Sequence, residues 1–310
     1  MSSIDQPTST GETLNTTNSQ VTEPHYPDPL VEPETGIDLK VSVDIDSLIA
    51  NYDIGERFLE GEGTSKQEWS AWEFLNQCPR IDIAHDFPEH SRVVILAPHP
   101  DDEILGCAGL LQHLLQLERQ VLIVAITNGT GSHPDSTVNT PEYLAKARPA
   151  ESIAAFKALH LKKLEYVQLH LPDGKVAENH SKLKSDIESL IQADDILVCT
   201  HVKDGHPDHE FSAHVALNIA KQHQLKIYQV LVWTWHWACP EHPSVDWHQA
   251  RRLDLSPTQI KRKESAIRCF KSQIEPDLST GQAPILAEFA IQRLLMPFEV
   301  YLHENDDRLF

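Results

Sequence analysis

From residue 91 onward, short apolar runs rich in β-branched side chains alternate with longer stretches of helical period, and that alternation leaves few folds open. Val93-Val94-Ile95-Leu96-Ala97 has no polar position, so a strand built from it must be buried on both faces. A helix over about 103–118 follows, with Ile104, Leu105, Ala108, Leu111, Leu114 and Leu115 at apolar positions, and then a strand from Val121 to Ile126. Beyond a polar loop the pattern predicts a helix over about 142–159, a strand at 164–169, a helix over about 181–192 and a strand at 196–199. A helix over about 208–222 and a strand at 227–233 complete the series. Strands separated by helices predict an α/β fold, a mostly parallel sheet covered by helices on both faces.

The flanks read differently. Residues 1–40 hold seven acidic residues, one lysine and five prolines among many Ser and Thr, and are expected to be a disordered tail. Residues 41–90 form an N-terminal extension whose QEWSAWEFL stretch, with Trp69, Trp72 and Phe74, suits a helix packed on the main domain. Residues 234–257 read as a long loop rich in Trp, His and Pro, followed by helices over about 258–273 and 283–295. Phe298–Leu302 reads as a final edge strand and residues 304–310 as a C-terminal tail.

Bulk properties exclude several classes. The formal net charge of -20 over 310 residues argues against nucleic acid or an anionic membrane as the main partner, since both need basic patches. No apolar run approaches the roughly 20 residues of a transmembrane helix. Cys78, Cys107, Cys199, Cys239 and Cys269 are odd in number and widely spaced, which suits reduced thiols and a cytoplasmic location.

The chemistry concentrates in two segments. Pro98-His99-Pro100-Asp101-Asp102-Glu103 lies directly after the first strand, and Asp204-Gly205-His206-Pro207-Asp208-His209 after the strand at 196–199. Ligands of open parallel sheets bind at the carboxyl ends of strands, so both segments stand where a site is expected. An acidic run at a helix start usually only caps it, but two His-Pro-Asp segments at two strand ends are hard to explain as surface decoration. His99, Asp102 and His209 offer the nitrogen and oxygen donors of a Zn2+ site with one position left open. Bound zinc brings the pKa of water to about 7, which is hydrolytic chemistry. Asp101 is left as a general base, and His206 as a donor to an oxyanion.

At these residues the sequence resembles the PIG-L/LmbE-like deacetylase superfamily. The resemblance covers roughly residues 91–303 and rests on Ala97-Pro98-His99-Pro100-Asp101-Asp102-Glu103 and His206-Pro207-Asp208-His209. Thr127-Asn128-Gly129, Arg148 with Glu151, Leu171-Pro172-Asp173-Gly174 and Lys263-Glu264-Ser265-Ala266-Ile267 leading to Ser272-Gln273 add to it. It implies a Rossmann-like fold, zinc on His99, Asp102 and His209, Asp101 as base and His206 as oxyanion donor. It also implies substrate contacts at Arg148 and Asp173. Pro149 departs from the pattern and is expected to break or restart the helix around Arg148.

The expected activity is therefore zinc-dependent removal of an acyl group, acetyl foremost, from an N-acylated amino sugar or sugar conjugate. An esterase or amidase on the same site and a non-catalytic carbohydrate-binding relic are the alternatives. The partner is a small-molecule or glycoconjugate substrate, and the sequence leaves the oligomeric state open. Trp233, Trp235, Trp237 and Trp247 suit either sugar stacking or packing, with Trp235 taken as the substrate contact. Gly106 and Gly109 suit tight helix–sheet packing, since Gly-Cys-Ala-Gly lacks nucleotide-binding spacing.

Overall fold

A computed structural model of the chain describes residues 42–303, so the expected tails at 1–40 and 304–310 lie outside the described residues. The strands are β1 Val93–Ala97, β2 Val121–Thr127, β3 Glu165–Leu171, β4 Ile196–Thr200, β5 Lys226–Val230, β6 Ala250–Asp254 and β7 Phe298–Leu302. They form one sheet in the order β3-β2-β1-β4-β5-β7-β6. The first five pair in parallel, and β7 runs antiparallel between β5 and β6. This is the α/β, mostly parallel architecture that the alternating pattern predicts.

The apolar run of β1 explains why two helical layers are needed. Val93 and Ile95 enter one core with Ile104, Leu111 and Ala155, and Val94 and Leu96 enter the other with Leu183, Ile187, Phe211 and Val215. Successive side chains of a strand point to opposite faces, so helices Ala108–Gln116 and Pro141–Ala158 cover one face and His180–Glu188 and Pro207–His223 the other. Each fully buried aliphatic side chain contributes about 1.5–3 kcal/mol.

Several local expectations are corrected. The helix expected over 103–118 is two pieces, Asp102–Leu105 and Ala108–Gln116. Gly106 and Gly109 let them sit against the sheet: a Cβ on Gly106 would lie 2.8 Å from Val230, and one on Gly109 would lie 2.3 Å from Leu255. Pro149 does not break its helix, which runs unbroken over Pro141–Ala158. The carbonyl of Ala145, which proline leaves without its helical donor, faces the Asn128 side-chain amide at 3.5 Å. The expected loop at 234–257 contains the short helix Thr234–Trp237 and strand β6. That strand takes the sheet edge, so Phe298–Leu302 is interior and buried throughout. Arg251 and Arg252 hide β6 from an apolar pattern, and its outer edge is covered by residues 79–81: the Arg252 N–H donates to the Pro79 carbonyl at 2.8 Å and the Ile81 N–H to the Arg252 carbonyl at 2.9 Å.

The QEWSAWEFL stretch forms two short helices, Lys66–Ala71 and Phe74–Gln77. Ser65 and Glu68 make a capping box at the first. Trp69 is fully buried, donates from Nε1 to the Trp235 carbonyl at 2.9 Å, and meets the Trp235 ring edge-on with centroids 4.9 Å apart.

Candidate metal centre and active site

The order β2-β1-β4 reverses direction between β1 and β4, and a crevice opens at their carboxyl ends. Residues 98–103 leave β1 and residues 201–210 leave β4 into that crevice, so segments about a hundred residues apart in sequence meet because their strands are neighbours.

Three donor atoms converge there. His99 Nδ1 lies 3.1 Å from His209 Nε2, His209 Nε2 lies 3.2 Å from Asp102 Oδ2, and His99 Nδ1 lies 3.4 Å from Asp102 Oδ2. Tetrahedral zinc with bonds of about 2.0–2.2 Å spaces its donors about 3.3–3.6 Å apart, and small shifts from the observed 3.1–3.4 Å let these residues fit the ion. His99 with His206 and His209, and His99 with Asp173 and Asp208, also group within 4.8 Å. His99 faces Asp173 and Asp208 through Nε2, so Nδ1 is the nitrogen it shares with His209 and Asp102.

The outer partners fix the ring orientations. His209 Nδ1 donates to Asp204 Oδ2 at 2.7 Å, which leaves Nε2 free as a ligand. Asp204 also accepts from the backbone N–H of Val232, Trp233 and Thr234 and from the Thr234 hydroxyl, so this fully buried carboxylate is satisfied as an anion. The Nε2 of His99 faces Asp173 Oδ1 at 3.1 Å and Asp208 Oδ2 at 3.4 Å, which leaves Nδ1 to the donor trio. Asp173 and Asp208 are themselves tied to the backbone N–H of Gly131 and Gly174.

Asp101 stands beside the trio in a strained conformation, with φ 143. A residue with a Cβ holds such geometry only where its surroundings enforce it. Here its N–H donates to Glu103 Oε2 at 3.0 Å, and Arg148 donates to its Oδ2 at 3.0 Å. Arg148 also donates to the carbonyls of Pro100 and Gly129, both at 2.9 Å. The buried guanidinium therefore holds Asp101, while still lining the pocket. Gly129, at φ +61, makes room for it: a Cβ there would lie 1.9 Å from Arg148 Nη1.

Electrostatics divides the groups. Burial pushes the Asp101 carboxyl up, and the Arg148 charge only partly opposes this. Burial works against the charged form of Asp102 as well, but His209 and His99 outweigh it and hold that carboxyl low. For His209, burial is outweighed by Asp102 and Asp204, and its pKa rises to about 9. His206 goes the other way, held down to about 3 by burial and then by the neighbouring His99 and His209. The Asp208 N–H donates to His206 Nδ1 at 3.2 Å, so neutral His206 carries its proton on Nε2. The buried carboxylates of Asp102, Asp204 and Asp208 crowd around two imidazoles, and a divalent cation matches that excess of negative charge.

The pocket above these groups has a volume of about 520 Å³, within the range of small-ligand sites. Leu105, Trp233, Ile285 and Leu286 supply its apolar wall, and Asp101, Arg148, Asp173 and His206 its polar one. Trp235 does not line it; that side chain is 5% exposed and packed on Trp69 and Trp247. Trp233 occupies the place that the sequence reading gave to Trp235. Asp204 carries a role that the sequence reading does not assign, and Trp233 is named there only as one of four candidate stacking tryptophans. The one available signal was that Asp204 precedes a glycine inside the second His-Pro-Asp segment. A larger cleft of about 950 Å³ lies by the amino ends of β2 and β3, but lacks convergent ligands. Its Arg119, Lys162 and Lys163 sit just beyond helix C-termini, where positive charge is favoured.

Residues 94–220 match the family model PIG-L, GlcNAc-PI de-N-acetylase. No curated protein matches the sequence at a significant level. Among solved structures, the zinc-inhibited form of teicoplanin deacetylase Orf2 is 18% identical, with TM-score 0.50 over 70% of this chain and 100% of that one. A deacetylase–bog complex from the teicoplanin biosynthesis pathway gives the same figures, 18% identity and TM-score 0.50 over 70% and 100%. The N,N'-diacetylchitobiose deacetylase from Pyrococcus horikoshii is 19% identical, with TM-score 0.45 over 68% of this chain and 80% of that one. At 18% identity the likeness to the first two shows the fold. Among the described residues no helix is long and apolar enough to cross a membrane.

Proposed function

Because residues 94–220 carry the PIG-L family match, we propose that this chain is a zinc-dependent N-deacetylase acting on an N-acylated amino sugar or sugar conjugate. The observation that carries the reading is the triangle of His99 Nδ1, Asp102 Oδ2 and His209 Nε2, with sides of 3.1–3.4 Å, beside a carboxylate that belongs to none of its corners. Zinc held by these three residues would supply Lewis-acid polarisation of the amide carbonyl and a more acidic water.

The chain's own residues supply the rest. Asp101, aimed by Arg148, takes the proton of the attacking water. His206 donates its Nε2 hydrogen to the carbonyl oxygen as negative charge gathers there. With Nδ1 of His206 already accepting from the Asp208 N–H, Asp101 is the better placed of the two to carry that proton on to the departing amine. Trp233 and Leu286 give the pocket an apolar wall against which the C–H face of a sugar ring would lie.

Asp101→Asn tests the assignment. Turnover is expected to fall by at least about 10²–10⁴-fold, with zinc retained by elemental analysis. Near wild-type activity would remove Asp101 from the mechanism. Acetate release from N-acetyl sugars against simple amides and esters separates the deacetylase from an esterase or general amidase.

A further inference from the structure

We propose that the segment at residues 42–64 is a brace for the metal-binding loop, and that Arg57 is a positioning residue for His206 and His209. The inference rests on the metal reading above and assigns a role to residues outside the family match at 94–220.

The loop from His201 to Glu210 is clamped at two carboxylates. Asp204 gathers the backbone of residues 232–234 and the ring of His209. Glu210, 2% exposed, does the same on the other side: its Oε1 accepts from the Gly205 N–H at 2.9 Å and from Arg57 Nε at 2.8 Å, and its Oε2 accepts from Arg57 Nη2 at 3.0 Å. A two-pronged arginine on a carboxylate fixes both position and rotation. Gly205 therefore sits between Asp204 and the Arg57–Glu210 pair, directly before His206. Its φ of +91, and a hypothetical Cβ only 2.8 Å from Trp237 and 3.2 Å from the Arg57 carbonyl, leave it no slack.

Arg57 is itself held at a distance from the site. Its Nη2 also donates to the Asp53 carbonyl at 3.1 Å. Upstream, Val43 exchanges two hydrogen bonds with Asn218 on the Pro207–His223 helix, at 3.0 and 2.8 Å. Downstream, the Glu60 carbonyl faces His236 Nε2 at 3.1 Å, and the Thr64 N–H donates to the His236 carbonyl at 3.0 Å. The segment is thus pinned to the helix that starts at His206 and to the turn that follows Trp233. Removing the guanidinium would leave Glu210 a buried charge without its cation, and the favourable response is for the carboxylate to swing out and release Gly205.

The test uses the full chain, with zinc affinity read by competition against a chromophoric chelator. Arg57→Met is expected to weaken zinc binding about 10–100-fold, the usual effect of losing an outer partner of a metal site. It should also lower kcat with KM little changed, while Arg57→Lys, which keeps the charge without the fork, falls between. If Arg57→Met does not fold, Arg57→Met/Glu210→Gln removes the stranded charge and should fold with zinc affinity still reduced. A folded variant of either kind that binds zinc within twofold of wild type overturns the brace alone. A wild-type chain that binds no zinc overturns the brace together with the metal reading on which it rests.

Discussion

Asp204 Oδ2 lies 2.7 Å from His209 Nδ1, and both side chains are completely buried. The contact settles which ring nitrogen of His209 turns to the donor trio and ties that ring to the backbone of residues 232–234. Asp204→Asn keeps the shape but loses the anion that favours a hydrogen on Nδ1. Zinc affinity should drop about 10–100-fold, measured by chelator competition, and an unchanged affinity would deny Asp204 this role.

Gly129 is expected to tolerate no side chain. Its positive φ alone costs an alanine about 1–3 kcal/mol, and the Cβ would collide with the Arg148 guanidinium at 1.9 Å. Gly129→Ala should lower the unfolding midpoint and reduce kcat sharply, because Arg148 no longer aims Asp101, yet leave zinc in place. Calorimetry with metal analysis on one sample separates the two effects.

Acid should destabilise the fold through two histidines away from the donor trio. Burial lowers the pKa of both His201 and His214 to about 4, from 6.5. The unfolded chain binds protons at these rings below about 6.5 while the folded chain does not. Stability is therefore fully present above that pH and is lost as pH falls toward 4. The loss is on the order of 2–3 kcal/mol per ring, visible as a falling denaturant midpoint between pH 7.5 and 4.5. His214, whose Nδ1 has no partner, is the one to change: His214→Leu should flatten the profile.

Two tryptophans two positions apart should respond oppositely. Trp235→Ala opens a hole against Trp69 and Trp247 and should cost about 3–5 kcal/mol of stability. Trp233→Ala should leave stability nearly intact and raise KM for an N-acetyl sugar about tenfold with kcat little changed, as lost aromatic contact does. A Trp233→Ala enzyme with unaltered KM would remove the stacking wall.

The sequence by itself determined the parallel sheet. The run Val93–Ala97 admits only a strand with apolar layers on both sides, and helical stretches between such runs admit only crossovers. It also marked His99, Asp101, Asp102, His206 and His209, since motif chemistry is local and these residues sit at strand ends. Tertiary structure alone decided what depends on neighbours from elsewhere in the chain. Edge strand β6 is invisible because its two arginines break the apolar pattern, and only the fold shows Arg252 lying 4.2 Å over the Phe298 ring and paired with Asp254. The helix through Pro149 continues because its freed carbonyl faces Asn128, 17 residues earlier. Trp233 lines the pocket and Trp235 fills the core because Asp204 fixes the turn between them, and no spacing rule distinguishes two aromatic residues in one short segment. Arg57 reaches Glu210 across 153 positions of chain. Periodicity records which side of an element is buried; only the packed fold records what each buried group is buried against.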